Sequence, residues 1–416
     1  MKENKPVIAL LGGLNLTAQN MYRMGVEFLE KQFEVVVFDC RSLLQRHIDQ
    51  SIEIDPRFRR IYPVTTMDDL VRILENLKPV FAIDFIGPCQ EMRSIQPALR
   101  NAGCKFVIQK LGQLPQPNLV QRCINQLSVI LKHIFWASIR GSTSRVDVRN
   151  ASFENMDHMS NFSRVRKMIN NYFETRYFEK ADVALAAGRQ AIRSCSNLAD
   201  TILSVKSSDA HQFAQALKTY NRGGIGELPN NYALFIDDAL IHGSDFALLR
   251  EKPFVESKMY FEQLNYFFSQ IEKLHCVHVV IAGHPGSFNN LDYISSFADR
   301  PVYFGNTPNL VIGCAFVMIH GSTAASFAVM SEKPSMVVSN SILDKGFYGK
   351  TILNLAKALG VTVTLMEHCD TTPIFPQVSS KSYKKYARNL LYDSSCSEAE
   401  PWEEFLSFAN GMKNKS

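Results

Sequence analysis

The sequence of 416 residues lacks long apolar runs, paired cysteines and any nucleic-acid-binding motif. No stretch reaches the roughly 18 uninterrupted apolar residues that a transmembrane helix needs, so none is predicted. The 9 cysteines are scattered and form no C-x-x-C pair, which argues against a zinc site and against a disulfide framework. Reduced thiols in a cytoplasmic protein are the simpler interpretation.

Charge is also modest, with a formal net charge of +5. This value suits contact with anionic sugars, nucleotides or a membrane surface, and it indicates no nucleic-acid partner. Hydrophobic residues make up 46% of the chain and charged residues 20%, as in globular proteins with sizeable cores. The length fits two domains of about 200 residues each.

The first half of the sequence alternates short β-type runs with helical patterns. The predicted strands are PVIALLGG, FEVVVFDC, IYPV, PVFAIDFIG, CKFVIQKLG, ADVALAAG and TILSVKSSDA. A capped helix is predicted to start at Thr66, because Asp68 and Asp69 follow it. The β-α-β-α order predicts an α/β fold with a doubly wound sheet. Gly12 and Gly13, after the first strand, suit close approach to a substrate, although a tight turn is the simpler explanation.

A helical and basic segment interrupts this alternation at about residues 118–180. NLVQRCINQLSVILKHIFWASIR has the spacing of an amphipathic helix, packed on its own domain or lying on a membrane surface. The stretch after it contains Arg164 and Arg166, which are candidate contacts of an anionic acceptor or simply solvated charges. Glu174 faces either solvent or a cleft.

A glycine-dense connector, NRGGIGELPNN, marks the predicted domain boundary. The first domain is predicted to span residues 1–225, including the insertion, and the second residues 226–380. Residues 381–416 are predicted to form the C-terminal helices.

The second half contains three strongly apolar runs, YALFI, HVVIAG and CAFVMIH, that are typical of buried parallel strands. Polar clusters follow each of them: Asp237-Asp238, then His284-Pro285-Gly286-Ser287, then His320-Gly321-Ser322-Thr323. A helix-compatible segment and a further strand, KPSMVVSN, come next. This half is therefore predicted to be a second Rossmann-like domain without the G-x-G-x-x-G fingerprint.

These strand ends predict a phosphate-binding site. Ligands of open α/β sheets bind at the carboxyl ends of strands, and a helix start offers free N–H groups. We therefore expect a nucleotide phosphate between His284 and the pair Ser322 and Thr323. Alone, Ser322 is as readily a helix cap and His284 a turn residue, but their pairing favours a site. Asn306 is a candidate contact of base or ribose, and Lys333 of phosphate, unless it only starts the next strand.

Asp237 and Asp238 place two carboxylates at a strand end. One of them could act as a base for an acceptor hydroxyl or as a nucleophile at the anomeric carbon. Adjacent residues of an extended chain point to opposite sides, so only one is expected to face a sugar. The pair is not a D-x-D motif, and no metal is expected. Capping of the next loop is the alternative role.

The His-Pro pair and the later H-G-S-T-A-x-x-x-A-x-x-x-x-K-P resemble the donor half of GT-B glycosyltransferases. Together they are similar to bacterial transferases that use CMP-activated sugars, such as sialyl-, polysialyl- and Kdo transferases. F-I-D-D-A-L resembles a strand of retaining β-Kdo transferases that carries a functional aspartate, which matches Asp237 first and Asp238 second. The resemblance covers residues 230–345 well and the remainder only by architecture.

The resemblance implies two Rossmann-like domains facing across a cleft, with the donor on the second and the acceptor on the first. Gly12 and Gly13 would then face the acceptor, and the C-terminal helix would return to the first domain through Trp402, Phe405 and Phe408. The implied reaction moves Kdo or another ulosonic acid from CMP to a surface polysaccharide, an O-antigen or a capsule. It would need no cofactor beyond the nucleotide sugar. The saccharide acceptor is free or lipid-linked, in the cytoplasm or at the inner face of the cytoplasmic membrane.

Three alternatives stay open at this point. The chain could be a UDP-sugar hexosyltransferase or a UDP-sugar 2-epimerase of the same fold, and an epimerase would need no acceptor. It could also be a non-catalytic partner in polysaccharide assembly, in which case nucleotide binding is not expected.

Overall fold

The computed structural model describes residues 5–46, 54–116, 177–220, 228–241, 256–288, 290–345, 347–370 and 375–413. Predictions for the helical and basic segment, including Arg164, Arg166 and Glu174, lie outside these ranges. So does most of the connector, at residues 221–227. The domain boundary placed there therefore stays a prediction.

The chain divides into two compact units. One comprises Met1–Gly87, Ser94–Pro115 and Glu179–Ser416 and contains both β-sheets. The other comprises Pro88–Arg93 and Gln116–Phe178 and lies mostly outside the described residues. The fold that positions the candidate site is therefore that of the first unit.

The first sheet has seven parallel strands in the order β3-β2-β1-β4-β5-β6-β7. Its strands are β1 (Val7–Gly12), β2 (Glu34–Asp39), β3 (Ile61–Pro63), β4 (Phe81–Phe85), β5 (Lys105–Lys110), β6 (Ala181–Ala187) and β7 (Ala199–Val205). The helices described with them are α1 (Ala18–Arg23), α2 (Val26–Leu29), α3 (Met67–Leu77), α4 (Met92–Asn101), α5 (Gly188–Cys195) and α6 (Ser208–Thr219). The chain order reverses between β1 and β4, which is the switch point of a doubly wound sheet.

The second sheet repeats this arrangement with six parallel strands in the order β10-β9-β8-β11-β12-β13. Its strands are β8 (Tyr232–Ile236), β9 (His278–Ala282), β10 (Val302–Tyr303), β11 (Phe316–Ile319), β12 (Ser335–Ser339) and β13 (Val363–Leu365). Its switch point lies between β8 and β11. The predicted fold class, α/β with two doubly wound parallel sheets, is confirmed.

Helices accompany the second sheet and end the chain. They are α7 (Ser257–His275), α8 (Leu291–Ser295), α9 (Thr307–Gly313), α10 (Ala325–Met330), α11 (Ser341–Lys345), α12 (Phe347–Leu359), α13 (Ser380–Leu390) and α14 (Pro401–Lys413). Strands β8 and β11 are buried along their whole length. The continuous apolar runs of these two strands are typical of a parallel sheet that helices cover on both faces. No helix within the described ranges is both long and apolar enough to cross a bilayer.

Local sequence signals explain where two of the helices begin. At α3 the predicted cap is confirmed: the Thr66 hydroxyl accepts from the Asp69 N–H at 3.1 Å, and the Asp69 carboxylate accepts from the Thr66 N–H at 3.0 Å. The strand predicted over TILSVKSSDA is too long. It ends at Val205, because the Ser207 hydroxyl accepts from the Ala210 N–H at 3.1 Å and starts α6.

The last helix, α14, packs against the first sheet. Trp402 and Phe405 are buried, with ring centres 6.0 Å from Phe85 and 5.3 Å from Phe81 respectively. Gly25 lies beneath the indole with a φ of +66°, and a Cβ there would come within 2.4 Å of the Trp402 ring. The end of the chain is thereby fixed to the first sheet after the second sheet is complete.

Candidate functional site

The sequence-predicted turns of the second half meet at one edge of the second sheet. Asp237 and Asp238 follow β8, the Gly321-Ser322 turn follows β11, and His284 follows β9. These strands are neighbours, with β8 in the centre, and all of them end at the same edge because they are parallel. The cluster therefore occupies the switch point at which open α/β sheets bind ligands.

Asp238 faces the turn that follows β11. Its Oδ2 accepts a hydrogen bond from the Gly321 N–H at 2.7 Å and another from the Tyr348 hydroxyl. A Cβ on Gly321 would lie 2.8 Å from the Tyr348 hydroxyl oxygen, so glycine is required for this close approach. The Asp238 Oδ1 is buried and has no hydrogen-bond partner among the described residues. The residue as a whole is half-buried.

Asp237 points to the other side and is buried. Its Oδ2 accepts from the Ala239 N–H and from the Tyr293 hydroxyl, each at 2.8 Å. Burial raises the pKa of Asp237 to about 7, although the Tyr293 hydrogen bond opposes the shift. The two carboxylates thus diverge, as alternation along a strand predicts. Asp237 is therefore engaged within the domain, whereas Asp238 faces the turn after β11, and a catalytic role for either carboxylate stays a prediction.

His284 opens a turn that continues as the short 3₁₀ helix Pro285–Ser287. Its Nδ1 accepts from the Gly286 N–H at 3.1 Å, and its own backbone N–H donates to the Tyr293 hydroxyl at 3.2 Å. An accepting Nδ1 places the proton of the neutral ring on Nε2. Pro285 and Gly286 are exposed, whereas Ser287 is buried. Of this turn, the imidazole is therefore the side chain suited to donate to a ligand.

Ser322 and Thr323 form the turn before α10 and are half-buried. The Ser322 hydroxyl accepts from the Ala324 N–H at 3.3 Å, which is a local contact within the turn; α10 begins after Ala324 without a side-chain cap, so the alternative role of Ser322 as a helix cap is not the one it has. In the part of the chain that the structure describes, the backbone N–H groups of Ser322 and Thr323 donate to no protein acceptor. Two backbone donors and two hydroxyl groups are thus gathered beside Asp238 and Gly321.

Two sequence-predicted phosphate contacts do not reach this edge. His320 is buried, with Nε2 2.9 Å from the Tyr260 hydroxyl and Nδ1 2.7 Å from the Val338 carbonyl oxygen, and burial lowers its pKa. Both ring nitrogens are thus used inside the domain. Lys333 donates to the Cys314 carbonyl at 2.7 Å, at the amino ends of β11 and β12. A phosphate contact from either residue does not fit these positions.

Asn306 lies beyond β10, at the start of α9. Its Oδ1 accepts from the Asn309 side-chain amide at 2.6 Å. Because β10 is the outermost strand next to β9, Asn306 lies on the side of the edge nearest His284. Its predicted contact with a base or ribose is compatible with this placement.

The first sheet has a polar edge of its own at the switch point. Gly12 ends β1, and the Gly13 carbonyl accepts from Arg46, whose guanidinium also donates to the Ile86 carbonyl at 3.5 Å. Beside them Arg41 is buried and forms a two-point ion pair with Asp39. Gly13 is therefore covered by the Arg46 side chain, which comes from the segment after β2, whereas Gly12 packs against Val37 and Leu16.

Sequence reasoning missed several residues that build the two edges: Tyr293, Tyr348, Arg41, Arg46 and Asp84. The tyrosines hold Asp237 and Asp238, and they come from helices far along the chain. The Asp84 carboxylate is buried at the end of β4 and accepts from the Ile86 and Gly87 N–H groups. Of these residues, only Asp84 could have been recognised from the sequence, because it places a carboxylate inside the apolar run FAIDF.

Among the described residues, no three His, Cys, Asp or Glu side chains are grouped to hold a metal ion.

The sequence matches no protein-family model, and comparison with curated proteins gives no match. Solved structures with a similar arrangement include UDP-GlcNAc 2-epimerase from Methanocaldococcus jannaschii in complex with UDP-GlcNAc and UDP, at 10% identity and a TM-score of 0.46, covering 98% of this chain and 99% of that one. MurG from Acinetobacter baumannii is 11% identical, with a TM-score of 0.46 and coverage of 98% and 100%. A Ugt transferase from Siraitia grosvenorii in complex with UDP is 10% identical, with a TM-score of 0.46 and coverage of 98% and 99%. Similarity at this level assigns the chain neither a family nor a ligand.

Proposed function

We propose that this protein is a glycosyltransferase that holds a nucleotide-sugar donor at the carboxyl edge of the second sheet. The supporting observation is the convergence of Asp238, the Gly321-Ser322 turn and the His284 turn on three neighbouring strands. Such a position suits a ligand that combines a phosphate with a sugar, because it offers N–H donors and a carboxylate side by side.

The phosphate is assigned to the turn after β11. The N–H groups of Ser322 and Thr323 and their hydroxyls would donate to phosphate oxygens, and the Nε2–H of His284 would donate from β9. Donors that are already oriented stabilise the leaving phosphate as negative charge develops on it. The same donors require no rearrangement at the moment of reaction.

Asp238 is assigned to the reacting sugar. As a general base it would take the proton of the acceptor hydroxyl while that oxygen bonds to the anomeric carbon. The bond from the anomeric carbon to the phosphate oxygen would break, and its electron pair would leave with the nucleotide. As a nucleophile, a carboxylate oxygen of Asp238 would instead attack the anomeric carbon and form a covalent glycosyl ester as the nucleotide leaves. The acceptor hydroxyl would then displace Asp238 from that ester. Both routes use the half-buried Asp238 rather than the enclosed Asp237.

Two donor classes fit this geometry. A CMP-linked ulosonic acid such as CMP-Kdo is the prediction from the His-Pro and Ser-Thr turns, and a UDP-sugar is the alternative. The residues assigned above would contact phosphate and sugar, so they would accommodate either base. The acceptor in this proposal is a saccharide on the side of the first sheet, near Gly12 and Gly13.

A turnover assay tests the proposal. The protein is incubated with CMP-Kdo or UDP-GlcNAc, with and without Kdo- or hexosamine-terminated saccharides, and released nucleotide and glycosylated product are measured. Acceptor-dependent release of one nucleotide supports the proposal. Asp238→Asn should lower the rate about 10²- to 10⁴-fold, as expected for loss of a positioned acid–base group, and the exposed control Asp200→Asn should not.

Two results would contradict glycosyl transfer. Conversion of UDP-GlcNAc into its epimer without any acceptor would identify a 2-epimerase acting at the same edge. Failure of every nucleotide and nucleotide sugar to bind would leave a non-catalytic partner in polysaccharide assembly.

A further inference from the structure

Phe288 is an exposed aromatic side chain that packing nevertheless holds in place. It lies just beyond the His284 turn and is 63% exposed. Its ring stands edge-to-face on Phe304, with ring centres 5.4 Å apart and planes at 85°. Edge-to-face contact is a preferred arrangement of two aromatic rings and favours this orientation of the Phe288 ring. The protein therefore presents an apolar ring to solvent at this point.

Phe304 connects that surface to the candidate phosphate site. A Cβ on Gly283, the residue before His284, would lie 2.6 Å from the Phe304 ring, so the two residues are in tight contact. Phe304 also lies 6.1 Å from the Tyr293 ring, and the Tyr293 hydroxyl accepts from the His284 N–H at 3.2 Å. Phe288, Phe304 and His284 thus have fixed relative positions.

The spacing along the chain suits one nucleotide. Phe288 follows His284 by four residues through the 3₁₀ turn Pro285–Ser287. Those three residues advance the chain by only about 6 Å, so the backbone of Phe288 stays within reach of a nucleotide whose phosphate lies at the His284 turn. A phosphate at the His284 turn would therefore bring its base close to the Phe288 ring.

We propose that Phe288 is the stacking surface for the nucleobase of the donor, with Phe304 supporting it from behind. This inference rests on the proposed function. It extends the proposed donor site, which so far has residues for the phosphate and the sugar, to the nucleobase. Stacking on an aromatic ring tolerates every base, because each base has a π-face. Phe288 therefore contributes affinity for the nucleotide, and it does not by itself distinguish cytosine from uracil.

The neighbouring Leu291 makes it possible to distinguish base stacking by Phe288 from insertion of this region into a membrane surface. Leu291 is 78% exposed and lies three residues further along the chain, at the start of α8. Insertion into a lipid surface would use both side chains, since both are apolar. Stacking on a base uses the flat ring alone, so Leu291 provides a matched control.

The experiment measures the binding of CMP, UDP and ribose 5-phosphate to the full chain by isothermal titration calorimetry. Phe288→Ala should weaken binding of the preferred nucleotide about 5- to 150-fold, the range measured for loss of one base–aromatic stack. Binding of ribose 5-phosphate, which has no base, should be unchanged. Leu291→Ala should bind both ligands like the wild type. Phe288→Trp should retain nucleotide affinity, and the nucleotide but not ribose 5-phosphate should quench the fluorescence of the new indole.

Unchanged nucleotide affinity in Phe288→Ala would overturn this inference and leave the proposed function intact. Equal losses of affinity for the nucleotide and for ribose 5-phosphate would also overturn it. Phe288 would then support the phosphate-binding turn and not contact the base. A wild-type protein that binds no nucleotide would overturn the proposed function, and this inference with it.

Discussion

The Tyr293 hydroxyl donates a hydrogen bond to Asp237 Oδ2 at 2.8 Å and accepts one from the His284 N–H at 3.2 Å. One buried side chain thus joins the ends of β8 and β9. Asp237 also accepts from the Ala239 N–H and so supports that residue at a φ of +51°. This arrangement encloses Asp237, whereas Asp238 is directed towards the turn after β11.

Removal of the Tyr293 hydroxyl should destabilise the protein. Tyr293→Phe deprives the buried Asp237 carboxyl of a donor, and an unsatisfied buried polar group costs about 1–3 kcal/mol in the free energy of unfolding. Urea denaturation would measure this cost. The control is Tyr266→Phe, whose hydroxyl bonds to Asp370 at the surface and whose loss should cost less than about 0.5 kcal/mol. Equal effects for the two variants would contradict the role given to Tyr293.

The pH dependence of stability should report the burial of Asp237. Its pKa is raised from 3.8 to about 7 in the folded state, so between about pH 4 and pH 7 the folded protein binds more protons at this site than the unfolded chain. Stability from this group is therefore greatest below pH 4 and is lost as the pH rises through 7. Burial also raises the pKa of Asp209 to about 6 and that of Glu400 to about 7, which act in the same direction.

Asp237→Asn removes one of these contributions. The stability of the wild type relative to this variant should fall steadily from pH 4.5 to pH 7.5 in urea titrations. A parallel series with Asp200→Asn, an exposed aspartate, should show no such trend. A relative stability of the wild type that is constant over this range would mean that Asp237 is not buried as described.

Alanine substitution of two glycines that have left-handed backbone should separate the cost of conformational strain from the cost of overpacking. Gly25→Ala places a Cβ within 2.4 Å of the Trp402 ring, whereas Gly103→Ala, at a similar φ of +72°, meets nothing within 4 Å. Both variants bear the cost of a left-handed alanine, about 1–2 kcal/mol. Gly25→Ala should lose a further 1–3 kcal/mol or so by overpacking. Similar unfolding free energies for the two would argue against the packing of α14 on the first sheet.

Gly321→Ala should impair the site more than the fold. The new Cβ would lie 2.8 Å from the Tyr348 hydroxyl oxygen and displace the group that donates to Asp238. We expect turnover to fall about tenfold or more, since misplacement by about 1 Å costs up to 10²-fold. Gly112→Ala, which meets nothing within 4 Å, is the control. Normal turnover in Gly321→Ala would mean that Tyr348 does not position Asp238.

Much of this architecture follows from local patterns. The strand YALFI coincides with β8, and the polar clusters after the apolar runs lie at the edge where they were expected. Alternation along a strand also predicts that Asp237 and Asp238 diverge. Which of them is enclosed depends on Tyr293 and Tyr348, which lie 56 and 110 residues away from their partners. No spacing rule connects residues at such distances.

The same limit applies to His320 and Lys333, whose side chains bond elsewhere in the domain and not at the predicted phosphate site. His320 directly follows a buried strand, and only the positions of Tyr260 and Val338 show that its ring turns inwards. Lys333 precedes β12, and its alternative role at the start of that strand is the one that the structure supports. In both cases packing against distant elements decided the direction of the side chain.

The most direct test of the account is nucleotide-induced stabilisation, with CMP, UDP and GDP at equal concentrations. A ligand at a hundred times its dissociation constant adds about 2.7 kcal/mol to the free energy of unfolding. CMP or UDP should stabilise the protein in this way, with a smaller effect in Ser322→Ala and an unchanged effect in Ser331→Ala, a serine at the other end of α10. No stabilisation by any nucleotide, or equal stabilisation of Ser322→Ala and the wild type, would contradict a phosphate site at the turn after β11.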